Sequence, residues 1–145
     1  MSGDALVEGL GEAFGAVARK LRIASMAALA AYDVTPSQVR AIRVLAAHDG
    51  GPEHRGVRSS ELAQHLKIAP RSATEVVDAL EAKGLVTRSR DPADRRAVLV
   101  ALSDHGRALS DEIRRTRGVE SERLFERLTE ADRGHLARIL RTLQD

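Results

Sequence analysis

Residues 69–103 read APRSATEVVDALEAKGLVTRSRDPADRRAVLVALS, and the change of period inside this stretch decides the fold. Ala73, Val76, Val77 and Leu80 stand at i, i+3, i+4 and i+7, the apolar stripe of a helix. Arg71, Ser72, Thr74, Glu75 and Asp78 are thereby left on its outer face. Pro70 suits the first turn, where a missing N–H costs nothing, and Gly84 suits the left-handed position just past the last turn. Ala69 is a poor N-cap, so the start is less firmly fixed than the stop. Beyond Gly84 the period falls to two and the residues turn β-branched, in Leu85 to Arg88 and again in Val98 to Leu102. The turn from Asp91 to Arg96 is too short to return as anything but an antiparallel hairpin.

Working outward on the N-terminal side, Ser59 or Ser60 opens a short helix through Glu61, Leu62, Ala63 and Leu66. Lys67 to Ala69 then forms a tight turn, so the pair of helices reads as a helix-turn-helix. Val57 and Arg58 are placed to add a short strand to the hairpin. Thr35 is a good N-cap before Pro36, and Val39, Ile42, Leu45 and Ala46 mark a helix that ends before Gly50. The polar, glycine-rich segment from Asp49 to Gly56 reads as an exposed loop.

Both ends of the chain are amphipathic helix. Residues 4–31 space Leu6, Leu10, Phe14, Val17, Leu21 and Ala24 at steps of three and four, and such a face needs a surface to lie against. Packing within one core and contact with a second subunit both satisfy that need. A long helix starts at Ser103 and Asp104 and runs toward Leu128, with Gly118 in its middle, where a kink or a close helix crossing is expected. Thr129 to Asp132 resembles a capping box with a shorter acid, and Leu136, Ile139, Leu140 and Leu143 supply the stripe of the last helix. The expected architecture is mainly α with a small β-hairpin wing (α+β), in a single domain over residues 1–145.

Charge concentrates on the hairpin. Lys83, Arg88, Arg90, Arg95 and Arg96 stand against Asp91 and Asp94, a local excess of three, whereas the whole chain carries +2. A basic hairpin beside a helix with a polar outer face suits a double-stranded nucleic acid, the helix in the major groove and the tip on the backbone or minor groove. Only Phe14, Tyr32 and Phe125 are aromatic, too few platforms for stacking single-stranded bases. With no cysteine, a disulfide framework, a thiolate zinc site and a thiol oxidant sensor are excluded.

The acidic start of the chain does not resemble a signal peptide, and the uncharged run from Ile23 to Tyr32 falls well short of the roughly 20 residues that cross a bilayer. The expected location is the cytoplasm, with no membrane partner. His48, His54, His65, His105 and His135 show no metal-binding spacing, so no metal and no cofactor are expected. No nucleophile, base and orienting acid form a recognisable local motif, so no enzyme and no catalytic residues are expected.

The segment EAKGLVTRSRDPADRRAVLVALSDHGRAL, from Glu81 to Leu109, resembles the winged-helix core of the MarR family of bacterial transcriptional regulators. The Leu85-Val86 opening, the Asp94-Arg95-Arg96 wing and the Leu102 to Gly106 closing are specific together and weak singly. The resemblance implies a winged helix-turn-helix whose terminal helices, 1–34 and 104–145, intertwine with those of a second subunit around a DNA-binding lobe at 35–103. It further implies a homodimer on a palindromic operator in double-stranded DNA. A repressor of this kind would be released by a small lipophilic or phenolic effector held between the dimerisation helices and the lobe. Arg22, Tyr32 and His48 are candidate lining residues, an ordinary polar residue at a helix edge being the plainer reading of each.

For DNA, the resemblance gives Arg96 the minor groove, with Arg95 beside it, and leaves Asp94 to fix the turn. Arg71, Ser72 and Thr74 are the groove-facing candidates on the helix. Arg88 and Arg90 can meet phosphates or form a solvent face. Where many family members carry a base this chain carries Glu75, which either accepts from cytosine or pairs with Arg71 one turn away. The rival to a DNA reader is a winged-helix protein-interaction module that dimerises without reading sequence, its arginines turned to an acidic partner.

Overall fold

The computed structural model describes residues 3–50 and 56–145. Along the chain run α1 (Gly3–Leu29), a 3-10 turn (Ala30–Tyr32), α2 (Pro36–Ala47), β1 (Val57–Arg58), α3 (Ser59–Leu66) and α4 (Pro70–Ala82). These are followed by β2 (Val86–Arg90), β3 (Val98–Leu102), α5 (Asp104–Phe125) and α6 (Glu130–Gln144). Two compact units result, one from Ala31 to Arg114 and one made of both chain ends, through Ala30 and from Arg115. Of the expected Asp49 to Gly56 loop, residues 51–55, His54 among them, lie outside the described residues.

In the central unit the apolar stripes meet as their spacing requires. Val39, Ile42 and Leu45 of α2, Leu62 and Leu66 of α3, and Ala73, Val77 and Leu80 of α4 are buried, and Val76 is half-buried. Val57, Val86, Val100 and Leu102 bring the sheet into the same core. The three strands are antiparallel in the order β1-β3-β2, with Val57 and Arg88 both opposite Val100.

Local chemistry sets the boundaries. Thr35 forms a reciprocal capping box with Gln38, each side chain accepting from the other's backbone N–H at 3.2 Å. The turn between α3 and α4 passes through Lys67 in the left-handed region, at φ 55°, and the Ile68 N–H donates back to the Ala63 carbonyl at 3.1 Å. A non-glycine residue there costs energy that the surrounding helices must hold. Gly84 ends α4 at φ 73° as its position requires.

The start of α5 is set by Ser103. Its hydroxyl donates to the Gly84 carbonyl at 2.6 Å and accepts from the Gly106 N–H at 3.0 Å. Gly106 itself lies so near the sheet that a Cβ would fall 2.0 Å from the Leu85 carbonyl oxygen, a contact no side chain tolerates.

The terminal unit is less self-contained. Ser25 and Leu29 are buried, but Leu6, Val7, Leu10, Phe14 and Val17 of α1 are all exposed, as are Ile139 and Leu143 of α6. Thr129 caps α6, accepting from the Asp132 N–H at 3.2 Å. Among the described residues the close crossing expected at Gly118 is not made. α5 runs through it unbroken, and a Cβ there would meet nothing within 4 Å. Among the described residues no helix is long and apolar enough to cross a membrane.

Candidate nucleic-acid interface

The outer face of α4 carries Arg71, Ser72, Thr74 and Glu75, all exposed. Neither Arg71 nor Glu75 has a side-chain partner among the described residues, so the pairing one turn apart is not made. The Thr74 hydroxyl donates back to the Pro70 carbonyl at 3.0 Å, which occupies its proton and leaves its lone pairs outward. No side chain caps the first turn of α4, because Ala69 offers none. Its leading N–H groups therefore remain open to water or an anion.

The wing tip is shaped by two aspartates. Asp91 Oδ1 accepts from the Ala93 N–H at 2.9 Å, and Asp94 Oδ1 accepts from the Arg96 N–H at 3.1 Å. Backbone bonds from Asp91 to Ala97 and from Ala97 to Asp94 close the turn at 3.0 and 2.9 Å. Asp91 is nearly buried and is also gripped from β1, where Arg58 donates through Nε at 2.9 Å and reaches the same oxygen through Nη2 at 2.7 Å. Arg90, Arg95 and Arg96 emerge from this frame exposed, with no partner for their guanidinium groups among the described residues.

Arg88 is engaged differently. Residues 86, 88 and 90 share one face of β2, and that face begins in the core with Val86. Half-buried at its edge, Arg88 donates to Asp78 and, at 3.0 Å, to Glu81, both on α4. Burial works against its charge, but the hydrogen bond and charge of Asp78, followed by those of Glu81, outweigh it and raise Arg88 above the ordinary arginine value. Its guanidinium ties the wing to the helix. Lys83, counted with the basic hairpin, is likewise committed inward, donating to the Asp33 carbonyl and, at 2.9 Å, to Gln38 Oε1.

The internal anchors were not legible as such in the sequence. Asp91 beside Pro92 signals a turn, but its pairing with Arg58 depends on β1 lying across β3 from β2. Arg107 is another: the hydrogen bond to Asp49 at 2.6 Å, against some burial and together with Asp104, raises its guanidinium above the ordinary value. These contacts span long sequence separations, and no local spacing marks them.

The three effector candidates have separate settings. Tyr32 donates to Glu112 at 3.2 Å, His48 contacts the Val44 carbonyl and the ring of His65, and Arg22 is exposed on the terminal unit. A cleft of about 210 Å³ in that unit is lined by Lys20, Leu21, Ala24, Glu120, Leu124 and Arg127, among others, and includes none of the three. Among the described residues no group of three or more His, Cys, Asp or Glu side chains converges as a metal site.

A helix, a short strand, two further helices and an arginine-bearing hairpin in this order define a winged helix-turn-helix protein. The family model described as the MarR family matches residues 32–97. The HTH-type transcriptional repressor MdtR of Bacillus subtilis is 26% identical over 131 residues, 90% of this chain and 81% of that protein. Among solved structures, the YusO protein of Bacillus subtilis superposes with a TM-score of 0.77 at 26% identity, covering 99% of this chain and 98% of its own. The transcriptional repressor CouR, bound to a 23-mer DNA duplex, does so with 0.74 at 28%, covering 100% and 99%. CouR from Rhodococcus jostii RHA1 bound to p-coumaroyl-CoA gives 0.70 at 26%, covering 95% and 93%. The chain thus matches the MarR family over residues 32–97, and its fold is that of solved MarR-family proteins. It is a DNA-binding transcriptional regulator and not an enzyme.

Proposed function

We propose that the protein is a homodimeric repressor that acts in the cytoplasm and reads an inverted-repeat operator, α4 in the major groove and the wing on the flanking backbone and minor groove. The observation that carries this reading is the division of labour among the hairpin arginines. Arg88 fastens the wing to α4, while Arg90, Arg95 and Arg96 stand outward on a turn stiffened by Asp91 and Asp94. Arg71 supplies a bidentate donor suited to guanine, Glu75 an acceptor suited to the cytosine amino group, and Ser72 and Thr74 bond either bases or phosphates. Asp94 acts through the turn it holds.

The mechanism is geometric. Two lobes joined by their terminal helices present two recognition helices about one turn of DNA apart, roughly 34–36 Å, and a change in that spacing loses a half-site. A small lipophilic or phenolic effector that binds the unfit spacing more tightly would release the operator. The complexes of CouR with DNA and with p-coumaroyl-CoA support both halves of this reading. Arg22, Tyr32 and His48 remain the proposed effector contacts.

Affinity for genomic fragments measured against salt tests the proposal. Six to eight phosphates neutralised by a dimer give a log–log slope of roughly −5 to −7, and protection should fall on a palindrome. Failure to retain any duplex at low salt would favour a protein-interaction module with the same fold.

A further inference from the structure

The five histidines have no metal-binding spacing in the sequence, yet folding brings two of them together. His48 closes the C-terminal end of α2 and His65 lies in the last turn of α3, with ring centroids 4.8 Å apart and planes inclined at 51°. Both are exposed. His48 Nδ1 lies 2.8 Å from the Val44 carbonyl oxygen. A carbonyl only accepts, so Nδ1 holds the proton and Nε2 carries the lone pair of the neutral ring. A backbone carbonyl on the second nitrogen is the arrangement that orients metal-binding histidines.

We propose that His48 and His65 form a two-imidazole site for a borderline divalent cation such as Zn²⁺ or Ni²⁺, joining the end of α2 to α3. A cation about 2.05 Å from each nitrogen, with each ring centre about 1.15 Å farther on, sets the centroids about 4.5 Å apart at a right angle and about 5.2 Å apart at the tetrahedral angle. The observed separation lies between these limits. Imidazole donors select such cations over Mg²⁺ and Ca²⁺, which prefer oxygen. The neighbouring Asp49 carboxylate is held by Arg107, so water completes the coordination and the cation exchanges readily. Because α2 and α3 are buried in the same core, the bound cation stabilises the lobe, by an amount that grows with the logarithm of cation concentration above its dissociation constant.

Calorimetric titration of the full, untagged chain with Zn²⁺ tests the site, with His105→Ala as a control on another exposed histidine. One cation should bind per chain. His48→Ala and His65→Ala should each weaken it by more than the roughly 10–100-fold that loss of an outer-shell partner costs, with His105→Ala unchanged. Binding of equal strength in the wild type and in either His48→Ala or His65→Ala overturns the proposal, as does no binding by the wild type. Substoichiometric Ni²⁺ added to the wild-type protein gives a readout independent of any variant. The ring resonances of His48 and His65 should broaden first, and earlier broadening of another histidine overturns the assignment.

Discussion

Arg88 and Arg96 carry the same guanidinium in the same hairpin and have opposite engagements. Arg88 faces α4 and two carboxylates, and Arg96 faces outward from a turn that its own backbone N–H helps to hold. Sequence alternation placed Arg88 and Arg90 on one face of the strand but left open whether that face meets phosphate or solvent. The register answers for Arg88, because a face that begins with buried Val86 turns toward the lobe. The two arginines therefore separate in a salt titration. Arg96→Ala should weaken operator binding and reduce the salt slope by about one for each site it neutralises. Arg88→Ala should leave the slope within error and lower unfolding free energy by about 0–1 kcal/mol, since its carboxylate partners are largely exposed. A slope that falls equally in both variants would give Arg88 a phosphate of its own.

At the scale of elements, the helices and the hairpin were legible because their signals are local. Thr35 before Pro36, the stripe from Ala73 to Leu80 and Gly84 beyond it each act within one or two turns of chain, and the structure places each as its chemistry requires. The attachment of the wing was not legible, because it depends on pairs far apart in sequence. Asp91 is a solvated turn residue by its position beside Pro92, but it is nearly buried and joins three parts of the wing: the Ala93 N–H, the Ala97 carbonyl through its own N–H, and Arg58 on β1. The wing is thus pinned near its tip by Arg58–Asp91 and in mid-strand by Arg88. Asp91→Ala strips an acceptor from a half-buried arginine and from a backbone N–H, a loss of about 1–3 kcal/mol in unfolding free energy. It should also weaken DNA binding while base preference under α4 is retained, because Arg71 to Glu75 are untouched. Selection of bound sequences with the variant checks this; altered preference beneath the recognition helix would mean that the anchor at the wing tip also positions α4.

The whole molecule poses the question that a single chain leaves open on its surface. Gly118 looked like a crossing point because glycine in mid-helix costs stability and needs a reason, yet among the described residues a Cβ there would meet nothing within 4 Å. The stripe of α1 has the same character, since Leu6, Leu10, Phe14 and Val17 were expected to lie against something and are all exposed. Exposed apolar rows at both ends of one chain are satisfied together if two copies clasp through α1, α5 and α6, which is the assembly the operator reading needs. Burial of a large apolar side chain is worth about 1.5–3 kcal/mol, so Leu10→Glu with Phe14→Glu removes about 3–6 kcal/mol per protomer and adds a charge at each position. Sedimentation should show a dimer for the wild type and a monomer for the double variant. The isolated lobe surface is intact in that variant, so residual binding should be to single half-sites, weak and without dependence on half-site spacing. A double variant that stays dimeric would move the interface away from α1. One that becomes monomeric yet keeps full operator affinity would separate dimerisation from DNA reading, and the spacing mechanism would fail with it.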